Sequence, residues 1–421
     1  MTSPADDPSR SEVDAHAQRN AASARKAPYP KDAAASNRTP TVALVAHDVH
    51  DRGGMERVCA ELIRRGASQF DFVVISATFA PELRPLVTQW MPVPVPARPF
   101  PLKFAIFWLR ARSRVRALDA DIVHTVGAIV PCRVDAAAVH FCHAGFASTE
   151  RRLTPQSMPV LRRANTAIAR LFALAAERWC YRTTRLRAFA AVSDGVGQEL
   201  LEHYPGVPVH VTPNGVDRSR FRPDPSARDE VRRAAGLGDE PVAVFVGGDW
   251  HRKGLTIVLD ALAQVRNAGV DLCLWVVGAG DQGRFSALAD ELGVGAAVSF
   301  LGPRSDVERV LAAADIFVLP SMYETFGLAA FEAAASGLPI VATRVHGISD
   351  LLADGDAGIL VERDARSVAD ALTRLASDPA LRSRLGKGAL ERSARYSWRA
   401  SVASVTDLYR SLLADRDGAR A

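Results

Sequence analysis

The sequence predicts an α/β protein made of two doubly wound parallel-sheet domains that face each other across a cleft. Three observations predict it. The chain has 421 residues, 48% hydrophobic and 24% charged, a globular composition at a length beyond one ordinary core. Its strands are short, nearly continuous apolar runs, as expected of strands buried on both faces, and helices separate them. The strand–helix alternation stops at a polar stretch, RSRFRPDPSARDE, and then starts again. Repeated βα units with right-handed crossovers build a parallel sheet covered on both faces, so two series give two Rossmann-like domains.

Residues 1–40 are rich in Ala, Ser, Pro, Asp and Arg and poor in large apolar side chains, so a disordered tail is expected there. The first domain is expected over 41–215. TVALVAH (Thr41–His47) reads as a buried strand, and the loop HDVHDRGG leads into the helix MERVCAELIRRGA, with Val58, Leu62 and Ile63 at helical spacing. DFVVISA (Asp71–Ala77) is the next strand. The Pro-rich MPVPVPARPFP is a loop or an edge segment, because proline cannot donate to a sheet ladder. LKFAIFWLRARSRVRAL reads as a basic amphipathic helix. ADIVHTV (Ala120–Val126) and DAAAVHF (Asp135–Phe141) are strands, and a long basic helical region runs from about Pro159 to Tyr181. RAFAAVS (Arg187–Ser193) is a strand with DGVGQELLEHY as its helix, and VHVTPNGVD (Val209–Asp217) is a last strand and turn. A linker is expected over 216–240. The second domain, over 241–394, has strands at PVAVFVGG, DLCLWVVGAG, AVSFLGP, ADIFVLPS, PIVAT and AGILVE, and a C-terminal helix and tail occupy 395–421.

Five scattered cysteines without a C-x-x-C pair argue against a disulfide framework or a zinc ribbon and suit a reducing compartment. No run is long enough to span a bilayer, and the first residues lack a basic start followed by an apolar stretch, so a cytoplasmic location is expected. Charge is uneven. Residues 98–187 carry 16 Lys+Arg against 5 Asp+Glu, while the whole chain is at +5. Such an excess suits an anionic partner, and equally a solvated arginine-rich surface. Nucleic acid is disfavoured, because no helix-turn-helix, zinc or aromatic RNP pattern is present. A dehydrogenase is disfavoured too, since no G-x-G-x-x-G follows the first strand of either half.

The most informative segment is LPSMYETFGLAAFEAAASGLP (Leu319–Pro339). A strand ends at Leu319–Pro320, a loop carries Glu324, and a helix starts near Gly327 and ends at Gly337, with Pro339 just beyond. The N–H groups of Gly327, Leu328 and Ala329 then sit at a helix N-terminus, a natural anion site. Glu332 lies eight residues after Glu324 on the same segment, and a carboxylate accepts two hydroxyl hydrogens at once, as a sugar diol offers. Read alone, Glu324 equally fits a capping acid and Glu332 a surface helix residue.

Taken whole, S-M-Y-E-T-F-G-L-A-A-F-E-A-A-A-S-G-L-P-I-V-A-T resembles the signature of retaining glycosyltransferases of family 4, which have the GT-B fold. The resemblance covers roughly 41–410 and is most specific from Val244 to Asp350. It implies that Glu324 contacts the donor sugar, that Glu332 holds the ribose hydroxyls, and that backbone around Phe326, Gly327 and Leu328 holds the diphosphate. In FVGGDWHRKGLTIVLDAL, Arg252 and Lys253 precede Gly254 at the end of a strand. Fixed cations there would stabilise a departing diphosphate more than the ground state. The family pattern contains this Arg-Lys-Gly, which implies diphosphate ligands, although a solvated basic turn also fits the residues alone. Many members carry an arginine where this chain has Gly248. The form G-G-D-W-H-R-K-G is similar to the lipopolysaccharide core α-1,3-glucosyltransferase branch, which also lacks that arginine.

In the first domain, Gly53–Gly54 lies in a strand-to-helix loop, where glycine lets backbone approach a ligand. The resemblance places that loop against the diphosphate. It also places a histidine near the reacting sugar, and His143 is preferred over His140, which alternation turns inward; structural roles fit both. Asp119-Ala120-Asp121 has D-x-D spacing but precedes a strand, at the wrong end of a sheet for a metal, so it reads as a turn. The helix from Leu102 to Leu118, with Arg110, Arg112, Arg114, Arg116 and Phe104, Phe107, Trp108, resembles an interfacial membrane helix or an ordinary surface helix. RYSWRASVASVTDLYRSLL is similar to the family's C-terminal helix, in which Trp398 would anchor a crossover to the first domain. The resemblance thus implies retaining, metal-independent transfer from a nucleotide-sugar, a UDP-sugar being favoured, to a glycan or lipid-linked acceptor at the inner face of an anionic membrane, with no cofactor. A sugar-nucleotide epimerase and a non-catalytic sugar-nucleotide-binding protein are the alternatives.

Overall fold

The computed structural model describes residues 38–51, 53–97, 99–149 and 160–418. The tail expected over 1–40 lies outside these residues but for its last three positions. Along the first half run β1 (Thr41–Val45), β2 (Asp48–Val49), α1 (Met55–Gly66), β3 (Asp71–Ser76), β4 (Thr78–Phe79), β5 (Gln89–Pro92) and α2 (Phe100–Arg116). Then come β6 (Ile122–Val126), β7 (Val134–Val139), α3 (His143–Thr149), α4 (Val160–Cys180), β8 (Leu186–Ala191), α5 (Asp194–His203) and β9 (Val209–Val211). The first sheet has seven parallel strands in the order β5-β3-β1-β6-β7-β8-β9, while β2 and β4 pair separately. Val42 to Val45 on β1 are fully buried, as a central strand covered on both faces requires. The Pro-rich segment supplies only the last two residues of β5, at the sheet edge, where Pro92 needs no ladder donor.

The second half holds α6 (Pro225–Ala234), β10 (Val242–Val246), α7 (Trp250–Lys253), α8 (Leu255–Asn267), β11 (Cys273–Val277), α9 (Gln282–Glu291), β12 (Val298–Gly302), α10 (Val307–Ala313) and β13 (Ile316–Leu319). It continues with α11 (Leu328–Ala335), β14 (Ile340–Thr343), α12 (Ile348–Leu351), β15 (Gly358–Val361), α13 (Ala365–Ser377), α14 (Pro379–Ser393) and α15 (Trp398–Gly418). Its sheet has six parallel strands ordered β12-β11-β10-β13-β14-β15. This is the GT-B arrangement of two parallel α/β sheets. The stretch read as a linker, 216–240, contains α6, and it is tied to the second sheet: Arg228 and Arg232 reach Asp315 at 2.8 and 3.1 Å.

The chain then returns to the first half. The Val216 N–H donates to the Tyr396 carbonyl at 2.7 Å, and α15 lays Val402, Val405 and Tyr409 into the first-domain core. The fully buried Tyr409 ring meets Phe70 edge-on at 5.3 Å, and its hydroxyl contacts His124 Nδ1.

In helix α2, Phe107 and Ala111 are fully buried with Val115 nearly so, and Trp108 and Phe104 pack against cores, so these three aromatics face inward. Residues at i, i+4 and i+8 share one face, and that face is the apolar one. Phe100, Leu102 and Leu109 are the large apolar residues it exposes. Asp121 lies at the start of β6, where its carboxylate accepts the Thr41 N–H at 2.8 Å. Among the described residues no helix is long and apolar enough to cross a membrane.

Candidate active site

In the second sheet the strand order reverses between β10 and β13. Loops leaving the carboxyl ends of two strands diverge at such a point and open a crevice. After β10 the short helix α7 carries Arg252 and Lys253, and after β13 a loop carries Glu324 to Gly327 and leads into α11 at Leu328. Sequence thus delivers both motifs to one place. Lys253 Nζ donates to Glu324 Oε1 at 2.8 Å, Ser321 Oγ donates to the same oxygen at 2.8 Å, and Arg252 Nη1 approaches it at 3.4 Å. Arg252 also donates to the Tyr323 carbonyl and, through Nε, to Asp249 at 3.0 Å. Burial pushes the Glu324 carboxyl up, but the Lys253 and Arg252 charges and its hydrogen bonds more than offset this and hold it below its ordinary value.

Helix α11 begins after Gly327, whose φ of 78° is left-handed, and a Cβ there would lie 2.7 Å from Ile348. Only glycine turns the chain here without strain, so the first amides of α11 are aimed from this loop. Phe326 is buried and stacks on Phe331 at 4.1 Å, so its ring supports the loop and only its backbone is at hand for a ligand. Gly248 is exposed, with space for a Cβ; Gly247, with φ 145°, is where a Cβ would strike Lys253 at 2.6 Å. Asp249, next in the loop, holds a left-handed φ of 49° without being glycine, a strained geometry common at functional loops.

The first half faces this crevice. Gly54 caps α1 close to Leu328: a Cβ on it would lie 3.9 Å from the Leu328 side chain. One turn on, Arg57 donates to Glu332 at 2.9 Å, so the acid on α11 is paired across the cleft. Burial pushes the Glu332 carboxyl up, and Arg57 opposes the rise in part. Ser193 Oγ donates to the Thr325 carbonyl and Thr325 Oγ1 to the His140 carbonyl, both at 2.7 Å. Glu199 on α5 accepts from Tyr323 at 2.9 Å and meets His346 at 2.9 Å. His143 opens α3, and its N–H and that of Ala144 donate to the buried Glu177 at 2.9 and 3.2 Å. Burial, and then Arg170, hold the His143 imidazole down to about 4, so it is neutral at pH 7.

The four residues Arg252, Lys253, Glu324 and Gly327 therefore converge. Glu332 lies on the same helix but is engaged with Arg57, and His143 lies on the opposing half beside Phe141. Sequence reading missed Arg57, Glu177, Glu199 and Tyr323, each of which gains its role from a partner distant in the chain. M-Y-E and G-G-M-E-R contain two of them within motifs that were already singled out.

Two apposed Rossmann-like lobes with cations and a helix N-terminus at the cleft define the GT-B fold. Residues 240–378 match the family model described as glycosyl transferases group 1, and residues 52–220 match that of glycosyltransferase family 4. The D-inositol 3-phosphate glycosyltransferase of Saccharomonospora viridis is 30% identical over 428 residues, covering 93% of this chain and 96% of that protein. The enzyme of the same name from Corynebacterium glutamicum is 35% identical over 234 residues, 52% of this chain and 56% of that one. The chain spans about half the length of several of the curated relatives it matches. Among solved structures, WaaG, a glycosyltransferase involved in lipopolysaccharide biosynthesis, is 22% identical with a TM-score of 0.72, over 87% of this chain and 99% of that one. Anabaena HepE in complex with UDP and glucose is 19% identical with a TM-score of 0.67, over 88% of this chain and 100% of that one. This chain belongs to the family 4 glycosyltransferases.

Proposed function

We propose that the protein moves a sugar from a nucleoside-diphosphate sugar, a UDP-sugar, to an acceptor hydroxyl with retention of configuration. The convergence of Lys253, Arg252 and Glu324 at the strand-order reversal, below the start of α11, carries this reading. The diphosphate lies against Arg252, Lys253 and the amides of Gly327 and Leu328, with Gly53 and Gly54 closing on it. Glu324 holds the sugar and Glu332 the ribose diol. The bond from the anomeric carbon to the phosphate oxygen breaks as the acceptor oxygen bonds to the same face. The acceptor proton passes to the leaving phosphate. Charge growing on that phosphate meets fixed cations and amides, so no metal is required for this role. Closure of the lobes excludes water and strengthens these interactions.

The acceptor is a glycan or lipid-linked molecule bound on the first-domain side near His143. The HepE complex supports UDP as the donor nucleotide, and WaaG supports a role in cell-surface glycan assembly. Exposed Phe100, Leu102 and Leu109 on α2, with Leu171, Phe172 and Trp179 on α4, support peripheral contact with an anionic membrane at its cytoplasmic face. Turnover of UDP-, GDP- and ADP-sugars, preceded by a thermal-shift screen, tests the reading with Glu324→Ala, Lys253→Ala and Glu332→Ala. Each is expected to lose about 100-fold or more, the scale of removing one transition-state contact. Near-normal activity in all three ends the proposal. Conversion of the sugar with donor alone identifies an epimerase instead.

A further inference from the structure

A second cavity, of about 330 Å³, opens in the first half where its own strand order reverses, between the ends of β1, β6 and β7 and the helices α2 and α4. Its walls are chiefly apolar: Met55, Phe100, Phe104, Ile129, Phe141 and Ala173. It adjoins the donor side. Met55 follows Gly54, Phe141 packs edge-on against Tyr323 at 5.2 Å, and the His140 carbonyl accepts from Thr325, the neighbour of Glu324. Phe100 both lines the cavity and is half exposed, so its mouth is apolar as well.

Arg170 apart, the polar groups in the walls are poor partners for a phosphate. Burial holds His47, His140 and His143 down to about 4, leaving three uncharged imidazoles at neutral pH. Glu177 is spent on the first amides of α3 and on the Tyr204 hydroxyl, which donates to it at 2.9 Å. Arg170 is the one cation among the described lining residues, and its guanidinium lies 5.8 Å from the Phe146 ring. A cavity of this size, apolar with a few convergent polar groups, has the character of a small-molecule site.

We propose that this cavity is the acceptor subsite and that it takes an alcohol with an apolar body, an alkyl or isoprenoid glycoside, in preference to an inositol phosphate. The apolar body lies between α2 and α4, and the hydroxyl-bearing end reaches His143 and the cleft. This rests on the reading of the chain as a sugar transferase, but binding tests it without turnover.

The test titrates the full chain with methyl, butyl, hexyl and octyl β-D-glucosides, each below its micelle concentration, and with D-inositol 3-phosphate. Affinity is expected to rise roughly fourfold per methylene until the cavity is filled. Ala173→Trp, which fills the cavity, is expected to abolish that rise while the thermal shift produced by the UDP-sugar is retained. Equal affinity across the series, a rise unchanged in Ala173→Trp, or tighter binding of D-inositol 3-phosphate than of octyl glucoside overturns the proposal. Where Ala173→Trp fails to fold, the wild-type series alone decides. Chain-length-dependent binding without donor-dependent product leaves the subsite standing and removes the transferase reading.

Discussion

Arg57→Gln isolates the pair that spans the cleft. Arg57 and Glu332 are 19% and 12% exposed and 2.9 Å apart, between a surface ion pair and a fully buried one. Surface pairs contribute about 0.5 kcal/mol and breaking buried ones costs 3–5 kcal/mol, so about 2 kcal/mol is expected here. Expressed in donor binding, that is about thirtyfold. The pH dependence has a definite sign. Burial already raises the Glu332 carboxyl, and Arg57 restrains the rise. Without Arg57 the acid protonates at higher pH, and a protonated acid no longer accepts two ribose hydroxyls. The KM for the nucleotide-sugar should therefore increase most on the acid side and recover as pH rises, with kcat less affected. Stability follows the same linkage: a raised carboxyl favours the fold below its ordinary value and loses that advantage as pH rises through the folded value. The variant should lose more thermal stability, relative to wild type, at pH 8 than at pH 5. Initial rates across this pH range and melting curves measure both. An unchanged KM profile refutes the argument, and a lower KM would make Arg57 a competitor of the ribose.

Gly327→Ala forces a side chain into a left-handed backbone and against Ile348, so it should cost about 1–3 kcal/mol of stability and misdirect the first amides of α11. A melting curve and the donor KM, expected to rise at least tenfold, check this. Burial raises the Glu177 carboxyl to about 7, against the hydrogen bonds from His143, Tyr204 and Ala144. Its stabilising contribution is complete below its ordinary value and is lost as pH climbs to about 7, on the order of 3 kcal/mol in all. The melting temperature of Glu177→Gln relative to wild type should consequently increase between pH 4.5 and 7; a constant difference contradicts this. Tyr409→Phe leaves His124 Nδ1 without its buried partner and should destabilise by about 1–2 kcal/mol, read by denaturant unfolding, with donor affinity unchanged.

The parallel sheets were legible because each strand is a local apolar run, and Glu324, Lys253 and Gly327 were legible because each sits where such a run ends. What stayed hidden depends on partners far away. Arg57 and Glu332 are 275 positions apart, and Tyr323 and Glu199 are 124 apart. No local spacing announces either pair. Gly248 was singled out by family pattern, whereas the steric demand falls on Gly247, because the direction of Lys253 cannot be read from composition. The arginines of α2 suggested an outward amphipathic face. Arg110, Arg112, Arg114 and Arg116 step by two and so spread round the helix, and the buried line is Phe107, Ala111 and Val115.

The chain passes between its lobes twice, and the two passages touch: Val216 pairs with Ser397 as a β-bridge, and its N–H is bonded to Tyr396. Joined side by side, they make a pin. Sliding of one lobe over the other would break this bridge. Because α15 also seals the first lobe's interior with Tyr409, cutting the chain before Trp398 would release both the pivot and the plug, and the first lobe would lose part of its core.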